Sequence, residues 1–149
     1  MTDIIRFRVR GVPIPQGSMR AFVVKGRPII TSSNRNLKAW RDIVASEAQR
    51  YAPPSLILGP VRVRLWFRLP RPKTLPKRIV DAVKRPDLDK LCRVLDSFTG
   101  VIWKDDSQVV RIEAEKRYED GLNPSGVEVE IVPVDGGIAP DGELPRTSE

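Results

Sequence analysis

Apolar and charged positions alternate strictly in two stretches of the chain. In IIRFRVR, Ile5, Phe7 and Val9 alternate with Arg6, Arg8 and Arg10. In VRVRLWFRL, Val61, Val63, Leu65 and Phe67 fall on one side of the same two-residue period. Such alternation predicts half-buried strands with basic outer faces. Between them, AFVVKGRPII reads as a hairpin turning at Lys25–Gly26. TSSNRN offers cap residues for a helix of about Leu37 to Tyr51, whose Leu37, Trp40, Val44, Ala48 and Tyr51 lie near helical spacing. A second helix is predicted from Asp87 to Phe98, with Leu88, Leu91, Cys92, Leu95 and Phe98 as its apolar stripe and Gly100 as its stop. Strands of about Gln108–Tyr118 and Val127–Val132 complete the pattern. The order β-β-β-α-β-α-β-β predicts a single-domain α+β fold, a mixed β-sheet covered by two main helices. The domain is expected over residues 1–133, with 134–149 as a flexible acidic tail that has little to bury.

Composition narrows the chemistry more than the fold. With 40% hydrophobic residues the chain can build a core. No apolar run approaches the ~20 residues of a membrane span, and charge interrupts the N-terminus where a signal peptide would be apolar. Cys92 is the single cysteine, so no disulfide forms within the chain, and a reducing, cytoplasmic setting is expected. Histidine is absent. That removes Ser-His-Asp and Cys-His catalysis, histidine-ligated zinc and histidine general bases together.

The net charge of +7 is unevenly spread. Residues 1–50 hold 10 basic and 3 acidic side chains, residues 51–100 hold 11 and 4, and residues 101–149 hold 5 and 12. A basic domain of this kind suits a polyanion, here nucleic acid. Nine basic residues between Arg62 and Arg85 read as a DNA track. Ser18 and Arg20, in a Pro/Gly loop, read as phosphate contacts, and Lys84, Arg85 and Lys90 as guides for the backbone. Trp40 and Trp66 are expected in the core, and Trp103 beneath the aspartates that follow it.

Five aspartates stand out in this basic setting: Asp87, Asp89, Asp96, Asp105 and Asp106, within RPDLDKLCRVLDSFTGVIWKDDSQVV. On a helix Asp89, Arg93 and Asp96 stand at i, i+4 and i+7 and share a face. Taken singly, each acidic pair has a structural explanation. Aspartate caps helices and is favoured in a first turn, and KDDSQ can be an ordinary turn. Taken together, without histidine, they make a donor set for a hard divalent cation such as Mg²⁺, which takes one or two carboxylates plus water and phosphate oxygens. That chemistry is phosphodiester hydrolysis. A basic DNA-binding module whose acids only cap a helix and shape a turn is the non-catalytic alternative.

RPDLDKL followed by GVIWKDDSQV resembles the RusA family of Holliday junction resolvases, small phage and prophage endodeoxyribonucleases. The pattern is P-D-x-D-N-L, a helix carrying a basic residue, then G-hydrophobic-x-x-D-D-x-Q-V. GVPIPQGSMRAFV, GRPII and LKAWRDIV are similar to the family's opening segments, so the likeness spans about Ile5 to Val132. The resemblance implies a homodimer that acts with Mg²⁺, Mn²⁺ being the alternative ion, and nicks opposed strands of a four-way junction. It puts the three essential aspartates on Asp87, Asp89 and Asp106, with Asp105 as the acidic neighbour in the metal set. Three departures are visible. Lys90 replaces the usual asparagine, Arg93 stands where a lysine important for cleavage is common, and the stretch from Asp89 to Asp96 is one residue short. Arg93 keeps the positive charge but hardly deprotonates. A less selective nuclease for flaps or other branched DNA is the enzymatic alternative.

Overall fold

The computed structural model describes residues 3–17, 19–24, 26–32 and 36–134, with the backbone alone for 19–24 and 27–32. In chain order the elements are β1 (Ile5–Arg10), β2 (Met19–Val24), β3 (Arg27–Ser32), α1 (Asn36–Arg50), β4 (Val61–Leu69), α2 (Leu88–Leu91), β5 (Val109–Tyr118) and β6 (Gly126–Pro133). The two alternating stretches become β1 and β4 of one four-stranded sheet, ordered β1-β6-β4-β5. The β4–β5 pair is parallel and the other pairs are antiparallel, so the sheet is mixed, as expected. Parallel neighbours need a crossover connection, and the segment carrying the aspartates supplies it. β2 and β3 form a separate hairpin, in register from Met19↔Ser32 to Val24↔Arg27.

Period two sorts the residues of β1 and β4 cleanly. Phe7, Val9, Val61, Val63, Leu65, Phe67, Val127, Val129 and Ile131 are buried beneath the helices with Trp40, Val44 and Ala48 of α1. The opposite face is a ladder of charge. Arg6 lies 2.7 Å from Glu130, and Arg64 lies 3.1 Å from Glu113 and 3.8 Å from Glu130. Registration places these four side chains on one rung across all four strands. Cross-strand opposite charges stabilise a sheet by roughly 0.2–1 kcal/mol per pair. Trp66 lies on this outer face, half-buried between Arg64 and Arg68 of the alternation. That corrects its expected core position: its place in the two-residue period outweighs its size.

The second helix also differs in form. Only Leu88–Leu91 is α-helical, and Cys92–Phe98 continues as a 3₁₀ helix. Its three-residue repeat stacks Leu91 over Val94 and Leu95 over Phe98, and all four are buried. Val94 joins the core in addition to the expected stripe. Cys92 packs half-buried against the core, where burial pushes its thiol pKa up, consistent with an inert thiol.

Where β1 meets β6, the chains approach more closely than any side chain allows. Gly126 has φ +149°, and a Cβ there would stand 2.0 Å from the Val9 carbonyl oxygen. Gly126→Ala should therefore destabilise the fold by more than about 1 kcal/mol, since alanine meets both an unfavourable φ and a backbone clash. Urea denaturation measures this, and an unchanged midpoint would show that β1 can shift to accommodate the methyl group.

Candidate active site

The aspartates sit on the crossover between the parallel strands, and each end of that crossover is tied down. At its start, Lys116 of β5 donates from Nζ to the carbonyl oxygens of Lys84 (2.9 Å) and Pro86 (2.7 Å), directly before Asp87. The Gln16 amide donates to the Lys90 carbonyl at 3.1 Å. Asp87 takes the N-cap backbone position of α2, but its side chain makes no capping hydrogen bond; Lys90 lies 3.8 Å away. Asp89 is exposed in the first turn and has no hydrogen-bond or ion-pair partner among the described residues. Capping therefore does not occupy either carboxylate.

At the far end the aspartates are held differently. Asp106 receives the Thr99 hydroxyl and, at 3.1 Å, the Trp103 indole N–H, both on Oδ1. Asp96 lies near enough for the Asp106 charge to act on it. Burial, then Asp106, hold Asp96 above the ordinary carboxylate range, against the pull of Arg41 and Arg93. Arg41 of α1 reaches Asp96 at 3.2 Å, the Arg93 carbonyl at 3.3 Å and the Gln16 side chain, so it joins the loop after β1 to the 3₁₀ segment.

Asp105 has a structural task. It caps a short 3₁₀ turn, Asp106–Gln108, accepting the Ser107 amide at 2.9 Å while Gln108 accepts the Asp105 amide at 2.8 Å. This reciprocal cap lowers the Asp105 pKa, chiefly through the Ser107 amide. The Gln108 side chain also donates to the carbonyls of Ile57 (2.7 Å) and Gly59 (2.9 Å), which anchors the turn to the segment leading into β4. Within KDDSQ the Asp105 carboxylate thus caps the turn, while that of Asp106 accepts from Thr99 and Trp103.

The structure brings Asp96 to Asp106, and sets Asp87 and Asp89 at the other end of the crossover. Seven residues of helical rise separate Asp89 from Asp96, about 10–14 Å. Mg²⁺ binds oxygens at about 2.0–2.1 Å, and among the described residues no three acidic side chains gather closely enough to hold an ion. The donors nonetheless suit a hard cation: they are all carboxylate oxygens, and they are exposed.

The basic residues divide in the same way. Lys84 and Arg85 are exposed beside Asp87 and have no acidic partner among the described residues, and Arg93 is exposed. Other members of the predicted track are committed to the fold. Arg64 is paired in the sheet ladder, and Arg71 donates to the Glu119 and Pro76 carbonyls and lies over the Tyr118 ring. Ser18 lies outside the described residues, and Arg20 is described only as a backbone position in β2. Sequence reasoning missed Thr99, Arg41 and Lys116. A lone threonine before a glycine, or one more arginine on a helix, carries no local signal, and their partners are up to 55 residues away.

An α+β domain with a basic surface and exposed carboxylates on a crossover segment suits a small nuclease. Residues 11–132 match the endodeoxyribonuclease RusA family, and the chain belongs to that family. It is also similar to YqaN, an uncharacterised protein of Bacillus subtilis (strain 168), at 30% identity over 79% of this chain and 90% of that protein. Among the described residues no helix is long and apolar enough to cross a membrane.

Among the described residues, Lys116 is the side chain that clamps the turn before Asp87 from the sheet. Lys116→Met should leave the fold intact but speed amide exchange over residues 87–91 by on the order of tenfold, the loss of roughly 1.4 kcal/mol of local protection. Hydrogen-exchange mass spectrometry reads this, and unchanged exchange would mean the turn is held by Pro86 and the Gln16 amide alone.

Proposed function

We propose that this protein is a Mg²⁺-dependent endonuclease that resolves four-way DNA junctions as a homodimer, by paired phosphodiester hydrolysis. Membership of the endodeoxyribonuclease family supports the nuclease activity. The observation that carries the site is Asp106, an exposed carboxylate held by two donors on one oxygen. The catalytic unit in this reading is residues 1–133, with 134–149 as an acidic tail, working in the cytoplasm.

Asp87, Asp89 and Asp106 are the proposed catalytic carboxylates, and with Asp105 they are the proposed metal set; Asp105 also fixes the turn that presents Asp106. When bound, Mg²⁺ supplies Lewis acidity toward the scissile phosphate; Mn²⁺ is the alternative ion. Arg93 stabilises charge on the phosphate without giving up a proton. Lys84, Arg85 and Lys90 steer the backbone toward Asp87, and Ser18 and Arg20 contact phosphates from the loop before the hairpin. The distance between the two acidic ends favours the dimer. A two-fold axis that runs the crossover helices antiparallel would present one copy's Asp87 and Asp89 to its partner's Asp106. It would also match the approximate two-fold symmetry of a four-way junction.

The direct test incubates the purified protein with a synthetic four-way junction, a flap and a matched duplex, with and without Mg²⁺. Symmetric nicks in the junction that require Mg²⁺ are expected. Asp106→Asn should abolish cutting while gel shift shows junction binding intact or tighter, because a ligand is lost and negative charge near the DNA is removed. Cutting without metal, or by Asp106→Asn at the native rate, would contradict the proposal. Equal cutting of flaps would reduce it to a less selective branched-DNA nuclease.

A further inference from the structure

We infer that Thr99 and Trp103 are positioning residues for Asp106, fixing its Oδ1 so that the carboxylate meets a divalent cation already oriented. The inference rests on the reading of Asp106 as a metal ligand.

Trp103 has no freedom of its own. It is fully buried, packs edge-to-face on Phe98 at 5.6 Å, and sits in a turn closed by the Gly100 amide donating to its carbonyl at 2.7 Å. Gly100 allows this turn with φ +80°. The indole N–H therefore leaves the core in one direction, toward Asp106 Oδ1 at 3.1 Å, with Thr99 Oγ1 at 3.2 Å beside it. The Thr99 hydroxyl donates to the same Asp106 oxygen. Two donors on one oxygen fix the plane of a carboxylate that is otherwise exposed.

A purely structural explanation accounts for half of this. A buried indole N–H needs an acceptor, and Asp106 provides one. It accounts for Thr99 only as an acceptor, since Thr99 Oγ1 also receives the indole N–H at 3.2 Å. It does not account for the hydroxyl proton: that residue is exposed and could donate to water, yet it donates to Asp106. Outer partners of this kind orient a ligand and change metal affinity by about 10–100-fold when removed. Helix capping, core packing and charge balance do not produce that dependence.

The test is a Mn²⁺ titration of the full-length protein, read by electron paramagnetic resonance of the free ion, with Mg²⁺ competition and thermal melting alongside. Thr99→Val, of nearly the same shape, should weaken Mn²⁺ binding by about tenfold with an unchanged melting temperature. Thr99→Ser, which keeps the hydroxyl, should restore it. Trp103→Phe should weaken binding similarly, and if it fails to fold Thr99→Val decides alone. Native Mn²⁺ affinity in Thr99→Val, beside its loss in Asp106→Asn, would overturn the positioning role and leave the ligand assignment standing. Native affinity in Asp106→Asn itself would overturn the ligand assignment and this inference with it.

Discussion

Repulsion between carboxylates governs the layout of this protein's acidic segment. Two carboxylates about 4 Å apart repel by ~4 kcal/mol at an effective dielectric of 20. The fold meets this by placing two aspartates at each end of the crossover helix and by giving each end a different remedy. Asp87 and Asp89 stay exposed next to Lys84, Arg85 and Lys90. Burial and the nearby Asp106 charge raise the Asp96 pKa, and the Arg41 guanidinium acts against both. Everything that anchors the crossover serves this layout. Lys116 and the Gln16 amide hold its start, and Gln108 ties its end to the segment before β4.

The remaining charge is arranged on the opposite side of the molecule, with a different purpose. Arg6, Arg64, Glu113 and Glu130 neutralise one another across the outer face of the sheet, so a count of arginines overstates the cations free to meet DNA. Among the described residues, the exposed cations without acidic partners near the acidic segment are fewer, Lys84 and Arg85 among them. The sheet therefore has a buried face that builds the domain and an outer face that balances itself, and the acidic segment lies on the crossover.

Much of the fold was legible because its elements follow simple periods. The two-residue alternation of Ile5–Arg10 and Val61–Leu69, and the helical spacing of Leu37, Trp40, Val44 and Ala48, locate the strands and α1 to within a residue or two. The switch from α to 3₁₀ at Cys92 was not legible, since Leu91, Val94, Leu95 and Phe98 satisfy either winding. Trp66 was misplaced because size was weighed above its position in the alternation. At the site, the paired aspartates were visible as a motif. Their division of labour was not: it depends on Thr99, Trp103 and Arg41, and on a cap in which Gln108 turns Asp105 into a structural residue.

The separation of Asp87 and Asp89 from Asp106 bears most directly on the proposed function, because among the described residues of one copy no three acidic side chains gather closely enough to hold an ion. Mixed dimers measure it. Asp87→Asn/Asp89→Asn protein and Asp106→Asn protein, each inactive alone, are combined, unfolded and refolded together, and offered a four-way junction with Mg²⁺. If ligands are shared across the two-fold axis, half of the sites in the mixed dimer are complete, and single nicks should return. If each copy carried its own complete site, no mixture of the two variants would cut, and that result would contradict the account.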